Sequence, residues 1–255
     1  MQEQAIKDKV KERYGKIALT GYSENCCAPT DCCSSSEVIS AVQMAKNIGY
    51  DAKELEAVPE SSILGVGCGA PLNFAGIREG EVVVDMGSGG GIDVFLSANQ
   101  VKRSGKVIGV DMTDQMLEKA RNNTKQGGYT NVEFRKGDIE KRIPVEDSIA
   151  DLVISNCVIN LTADKVSTFK EIYRILKDGG RMIISDLVTD KEIEENSVNP
   201  EKWCSCIDGA LTKGNYLSSI RKAGFNNPEV LQETTYLEDK TDGRIMTSLV
   251  VKAIK

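Results

Sequence analysis

The chain has 255 residues, 40% of them hydrophobic, and a formal net charge of -6. That apolar content fills one large core, or a core with a small appendage. The acidic balance lacks the cationic surface that phosphate backbones and anionic membranes attract, so no nucleic-acid and no membrane partner is expected.

The first residues are densely charged without an apolar leader, and no uncharged apolar stretch is long enough to span a bilayer, so the expected location is the cytoplasm. Val10, Tyr14, Ile17 and Ala18 stand near helical spacing and predict an amphipathic helix ending near Gly21. The polar segment 21–36 has a proline and no apolar periodicity, and reads as a loop carrying the doublets Cys26-Cys27 and Cys32-Cys33. Ser35 or Ser36 is positioned to cap a helix over 37–49, and a short helix follows at 52–58 before Pro59.

From Glu81 the pattern changes to apolar strands at 81–87, 106–112, 132–138, 150–157 and 181–188, with helices between them at 92–101, 113–123 and 164–176. Alternation of this kind predicts a parallel sheet covered on both faces. A further helix is expected at 213–225, then an antiparallel pair at 229–238 and 244–254 turning at Thr241-Asp242-Gly243. The division expected is residues 1–60 as a helical, cysteine-rich cap, 61–190 as the cofactor-binding core, and 191–255 as a loop, helix and closing strands.

The chain has eight cysteines and no histidine, so the usual neutral-pH base and metal ligand is missing and sulfur must do its work. In a reducing compartment, a chain this long with its cysteines so scattered is read as binding a metal or metalloid, or as redox-active, rather than as a disulfide framework.

Asp85 closes the first apolar strand and is followed by Gly87, Gly89, Gly90 and Gly91 before a helix, a loop that lets a ligand approach the backbone across the carboxyl edge of the sheet. Asp111 ends the second strand at about the ~20-residue spacing where an acid meets ribose hydroxyls. Met112 beside it is placed to pack on an adenine face, and Asp138 at the end of the third strand to accept from an adenine amino group; Ile139 and Asn156 lie on the same rim. These strand ends together point to an adenosine cofactor. The G-S-G-G-G spacing differs from the G-x-G-x-x-G of dinucleotide sites, although NAD is not excluded by glycines and acids alone.

The run D-M-G-S-G-G-G resembles motif I of class I S-adenosylmethionine-dependent methyltransferases, with Asp85, Gly87, Gly89 and Gly91 on the motif, Asp111 as the ribose acid and Asp138 as the adenine-side acid. LKDGGRMIISD resembles their L-K-P-G-G segment, with Asp178 in place of proline. The resemblance implies a Rossmann-like α/β fold with a mostly parallel sheet and an antiparallel C-terminal strand.

GVGCGAP, VVVDMGSGGGIDVFLSA, VIGVDMTDQMLEKAR, SNCVINL and SCIDGAL are, more closely, similar to the arsenite methyltransferase family from Asn25 to about Leu211. That resemblance implies methylation of trivalent arsenic, presented as a thiol adduct, with S-adenosylmethionine as cofactor. Cys68, Cys157 and Cys206 match the family's arsenic-binding thiols, and Cys32 and Cys33 its auxiliary redox pair, served by thioredoxin or glutathione. Cys204 and the Cys26-Cys27 doublet are additions to the family pattern, and the C-terminal extension of longer members does not follow. Individually each cysteine also reads as an inert small hydrophobe, and the four-thiol loop as a zinc site. The alternatives are a methyltransferase for a quinone or other small organic nucleophile, which would want a base, and a non-catalytic metalloid sensor.

Overall fold

The computed structural model describes residues 3–21, 40–194 and 197–255. The loop doublets Cys26-Cys27 and Cys32-Cys33 lie outside the described residues, as do Ser35 and Ser36. The opening helix α1 spans Glu3–Thr20. The next, α2, covers Ala41–Asn47, and its N-cap is Ser40, whose side chain accepts from the Gln43 amide. Asp51 caps α3, Ala52–Glu56. A short α4, Leu72–Ala75, follows the Cys68 segment.

Five strands, β1 (Val82–Met86), β2 (Lys106–Asp111), β3 (Val132–Lys136), β4 (Ala150–Asn156) and β5 (Leu176–Thr189), run parallel. Between them lie α5 (Ile92–Val101), α6 (Asp114–Gly127) and α7 (Lys165–Ile175). The L-K-D-G-G segment is drawn into β5 itself, with a register shift against β4, because Gly179 donates its amide to the Lys255 carbonyl at 3.0 Å. After α8 (Pro200–Trp203) and α9 (Lys213–Lys222) come β6 (Glu229–Glu238) and β7 (Ile245–Ile254). The strand order is β3-β2-β1-β4-β5-β7-β6, with β7 antiparallel to both neighbours. A mostly parallel sheet with an antiparallel C-terminal strand is the arrangement that the sequence resemblance implies. The last strand in sequence sits inside the edge because it is buried on both faces, while β6 carries the polar rim.

The period of two in the strands builds two cores. Val84, Val153, Ile184 and Val251 pack with Phe169, Ile172 and Ile220 on one face. Their neighbours Val83, Leu152, Ile183 and Val250 pack with Val94, Phe95 and Leu117 on the other. Leu249 of β7 is fully buried in the first core. Leu249→Ala is therefore expected to cost about 2–5 kcal/mol in a single chemical-denaturation transition. A loss below about 1 kcal/mol would show that β7 contributes little to the common core.

Candidate functional site

Because β1, β2, β4 and β5 are parallel, their carboxyl ends meet at one rim, and a cavity of about 120 Å³ opens there. Asp85, Gly87, Gly89, Asp111, Met112, Asp138, Ile139, Asn156 and Cys157 all line it. Gly91 does not. It is the N-cap of α5 with φ of 96°, and a Cβ there would run into the rings of Phe95 and Phe134; its freedom serves the turn rather than the cavity. A Cβ at Gly87 would run into the Val158 side chain, so the loop has space only for bare backbone.

Asp111 fastens the glycine loop, accepting from the amides of Gly89 at 2.9 Å and Thr113 at 2.8 Å. Asp138 accepts from the Glu140 amide at 3.1 Å and from Lys7 of α1 at 3.0 Å. Lys7, Val10 and Tyr14 bring α1 over the cavity mouth. Two lining residues had no place in the sequence reading: Tyr50, whose hydroxyl donates to Asp93 at 2.8 Å, and Asp93 itself. Asp93 stands in the first turn of α5 just after the glycines, a polar position on a buried face that the sequence did display; nothing local distinguishes Tyr50.

The cavity is a basin of buried carboxyls. Asp85 is raised well above the ordinary range by burial and then by the charges of Asp93 and Asp111. Burial lifts Asp93 to about 6, against the hydrogen bonds from Tyr50 and Asn156. It also raises Asp111, against its backbone donors. Such a basin favours a cationic ligand, whose charge would relieve the repulsion.

The thiols collect next to this cavity. Cys68, Cys157, Cys204 and Cys206 are free, buried, and share one cluster with Leu161, Leu187, Tyr236 and Met246. Cys157 follows β4 and Cys206 follows α8, with φ of 58° and 63°. That left-handed backbone costs a non-glycine residue about 1–2 kcal/mol each. Cys206 Sγ donates to the Cys157 carbonyl at 3.0 Å. The ligand atoms lying within 4.8 Å of one another are Cys68 Sγ, Cys157 Sγ and a carboxylate oxygen of Asp186 on β5.

Asn156 joins the two halves. Its Oδ1 accepts from the Cys68 amide at 3.2 Å, and its Nδ2 donates to the Gly69 carbonyl at 2.6 Å and the Tyr50 hydroxyl at 2.9 Å. The Cys206 segment is held by the Trp203 indole on the Leu161 carbonyl at 3.1 Å and by the fully buried Arg244–Asp208 pair.

The sequence reading expects these cysteines to hold arsenic as thiolates; without a ligand, the surroundings of Cys157 and Cys68 favour their thiol forms. Hydrogen bonds that the Cys157 thiol donates toward Cys206 and Cys68, and then burial, push Cys157 well up, and burial pushes Cys68 up. Asp186, fully buried, is raised to about 7 by burial, opposed by Lys165, which burial in turn lowers to about 8. Asp186 was missed although it follows an apolar strand much as Asp85 and Asp111 do.

Among the described residues no helix is long and apolar enough to cross a membrane. A methyltransferase-domain family model matches residues 77–224. The chain is similar to the arsenite methyltransferase of Halobacterium salinarum, 37% identical over 97% of this chain and 65% of that relative. It is also similar to that of Aquipseudomonas alcaligenes, 32% identical over 89% of this chain and 64% of the relative. The chain thus spans just under two thirds of the length of these two. Its structure is similar to that of an arsenic (III) S-adenosylmethionine methyltransferase from Chlamydomonas reinhardtii. The TM-score is 0.67 and the identity 33%, covering 86% of this chain and 75% of that one.

A carboxyl whose pKa is higher folded than unfolded binds more protons in the folded state, so its stabilisation is complete below the unfolded value and is lost as pH rises through the folded one. For Asp93 and Asp186 that window runs from about 4 to about 7. Glu133, held at about 2 chiefly by hydrogen bonds from Arg135 and Lys106, is ionised throughout it. Denaturation of the ligand-free protein should give a higher midpoint at about pH 5 than at about pH 7.5; the reverse order would mean that these carboxyls are ionised in the fold.

Proposed function

The chain belongs to the arsenite methyltransferase family, and we propose that it methylates trivalent arsenic held by the thiolates of Cys68, Cys157 and Cys206. S-adenosylmethionine, when bound, supplies an activated methyl group on a sulfonium centre. The residues fit that group: the cavity presents the carboxyls of Asp85, Asp93, Asp111, Asp138 and Glu140 to a ligand with sulfonium and ammonium cations, and bare glycine backbone where it must come close. Asp85 and Asp93 would face its ammonium, Asp111 its ribose, and Met112, Asp138 and Ile139 its adenine, with Asp138 giving up part of its bond to Lys7. Gly87 and Gly89 would lie along it, and Gly91 supports the turn.

The single observation that carries this reading is Cys157. It lines the cofactor cavity and at the same time belongs to the thiol cluster, so a soft atom held there faces the methyl group directly. Cys68 and Cys206 complete a trigonal set once Cys206 turns from the Cys157 carbonyl. Protonated resting thiols suit arsenite. Each hydroxide it loses leaves as water with a thiol proton, so three sulfur bonds form without a base, and trivalent arsenic keeps its lone pair. The absence of histidine is then no handicap. Leu161, Leu187, Tyr236 and Met246 keep water from the sulfurs. Cys32 and Cys33 are proposed as the redox or delivery pair, drawing on thioredoxin or glutathione.

Reduced protein given arsenite, a thiol and S-adenosylmethionine should yield methylated arsenic. Cys157→Ser or Cys206→Ser should lower turnover by at least about a hundredfold, with cofactor affinity within about twofold by calorimetry. Full activity in either variant would remove that thiol from the site. Methylation of a small organic acceptor with no arsenic binding would overturn the reading.

A further inference from the structure

Asp186 has no part in the arsenic site just described, yet its carboxylate, and not the Cys206 thiol, completes the close set with Cys68 and Cys157. All three are buried. The carboxylate is oriented as metal-ligating carboxylates are, by outer hydrogen bonds. Oδ1 accepts from the Leu187 amide at 3.1 Å, and Oδ2 from the Asn160 amide at 3.0 Å and the Tyr216 hydroxyl at 3.2 Å. Oδ1 keeps a lone pair for a further partner. Sulfur and oxygen donors around a tetrahedral zinc lie roughly 3.5–3.8 Å apart, so a set already within 4.8 Å has to close by only about 1 Å.

We propose that, while no arsenic is bound, the protein takes up one divalent thiophilic cation, zinc or its kind, through Cys68, Cys157 and Asp186, the two thiols releasing their protons to solvent, and that arsenite displaces it by recruiting Cys206. The proposal rests on the arsenic reading only in taking Cys68 and Cys157 as thiols that arsenic needs. Charge favours the site. Two thiolates and a carboxylate against a dication leave one negative charge, and the buried Lys165 ammonium, whose field reaches both Asp186 and Cys206, balances it. Arsenic has the opposite preference: three sulfurs neutralise it, and a hard carboxylate is the poorer donor.

In the exchange, two thiolates pass from the cation to arsenic and Cys206 supplies the third sulfur. The cation leaves with its two charges, and the three hydroxides of arsenite leave, one as water carrying the Cys206 proton and two as hydroxide that takes protons from solvent, replacing those released when the cation bound. No electron moves, and arsenic stays trivalent. The cation would shield two thiols from oxidation until substrate arrives.

The test uses the reduced 255-residue chain carrying Cys26→Ser, Cys27→Ser, Cys32→Ser and Cys33→Ser, so that the loop thiols cannot contribute, and no S-adenosylmethionine. Titration with cobalt(II), read by sulfur-to-cobalt charge-transfer absorbance, and competition with zinc should give one site per chain. Adding Asp186→Asn should weaken the cation by at least about tenfold and arsenite by no more than about threefold. Adding Cys206→Ser should do the reverse. A site insensitive to Asp186→Asn, equal sensitivity of the cation to both changes, or no stoichiometric cobalt binding would each overturn the proposal. Should Asp186→Asn fail to fold, Asp186→Ser is read in the same way, and misfolding of both assigns Asp186 to the fold and overturns the proposal. Methylation by the unsubstituted chain is measured separately. Its failure would sink the arsenic reading while the cobalt titration still judged this site.

Discussion

One amide side chain sets the distance between the two halves of the site. Asn156 ends β4 with its oxygen on the Cys68 backbone and its nitrogen shared between the Gly69 carbonyl and Tyr50, which continues to Asp93 in the cofactor cavity. The next residue is Cys157. A strand end, a thiol loop from before the sheet and a tyrosine from the N-terminal segment are therefore locked to one another through hydrogen bonds that burial makes costly to break. If that amide shifted, the thiols and the cavity would no longer keep a common geometry.

Around this joint the protein separates two kinds of chemistry by a few ångströms. On one side are carboxyls pressed together until burial and mutual repulsion hold their pKa values high, a state that a cation relieves. On the other are Cys68 and Cys157, whose thiol forms burial favours while nothing is bound to them. Neither side needs a base to become occupied, because one ligand brings its own positive charge and the other brings hydroxides that take up the thiol protons. The left-handed backbone at Cys157 and Cys206 is strain of the sort that persists where surrounding structure over-determines a functional position. Here the buried Arg244–Asp208 pair and the Trp203 bond hold the Cys206 segment against that cost.

Much of the fold was legible in the sequence. Every strand from β1 to β7 and the helices α5, α6, α7 and α9 follow from apolar periodicity and flanking glycines. Those signals are local, so a chain read in order displays them. The short helices α4 and α8 and the cap at Ser40 were not legible, since pieces of one or two turns are decided by what they pack against. The position of β7 between β5 and β6 was equally hidden: pairing order is a contest among edges, and alternation states only that a strand has buried faces.

The sequence by itself determined the chemistry available: a glycine loop after an acid, acids or amides at successive strand ends, scattered thiols and no histidine. These are properties of residue type and spacing. Tertiary structure alone decided which groups meet. It placed Asp93, Tyr50 and Asp186 among residues far from them in sequence. It assigned Gly91 to the turn rather than the cavity, and it left Cys206 bonded to a carbonyl while a carboxylate took the place beside Cys68 and Cys157. Proximity of that kind arises from the packing of β4, β5 and the segment after α8 against one another, a long-range outcome that no window of sequence contains.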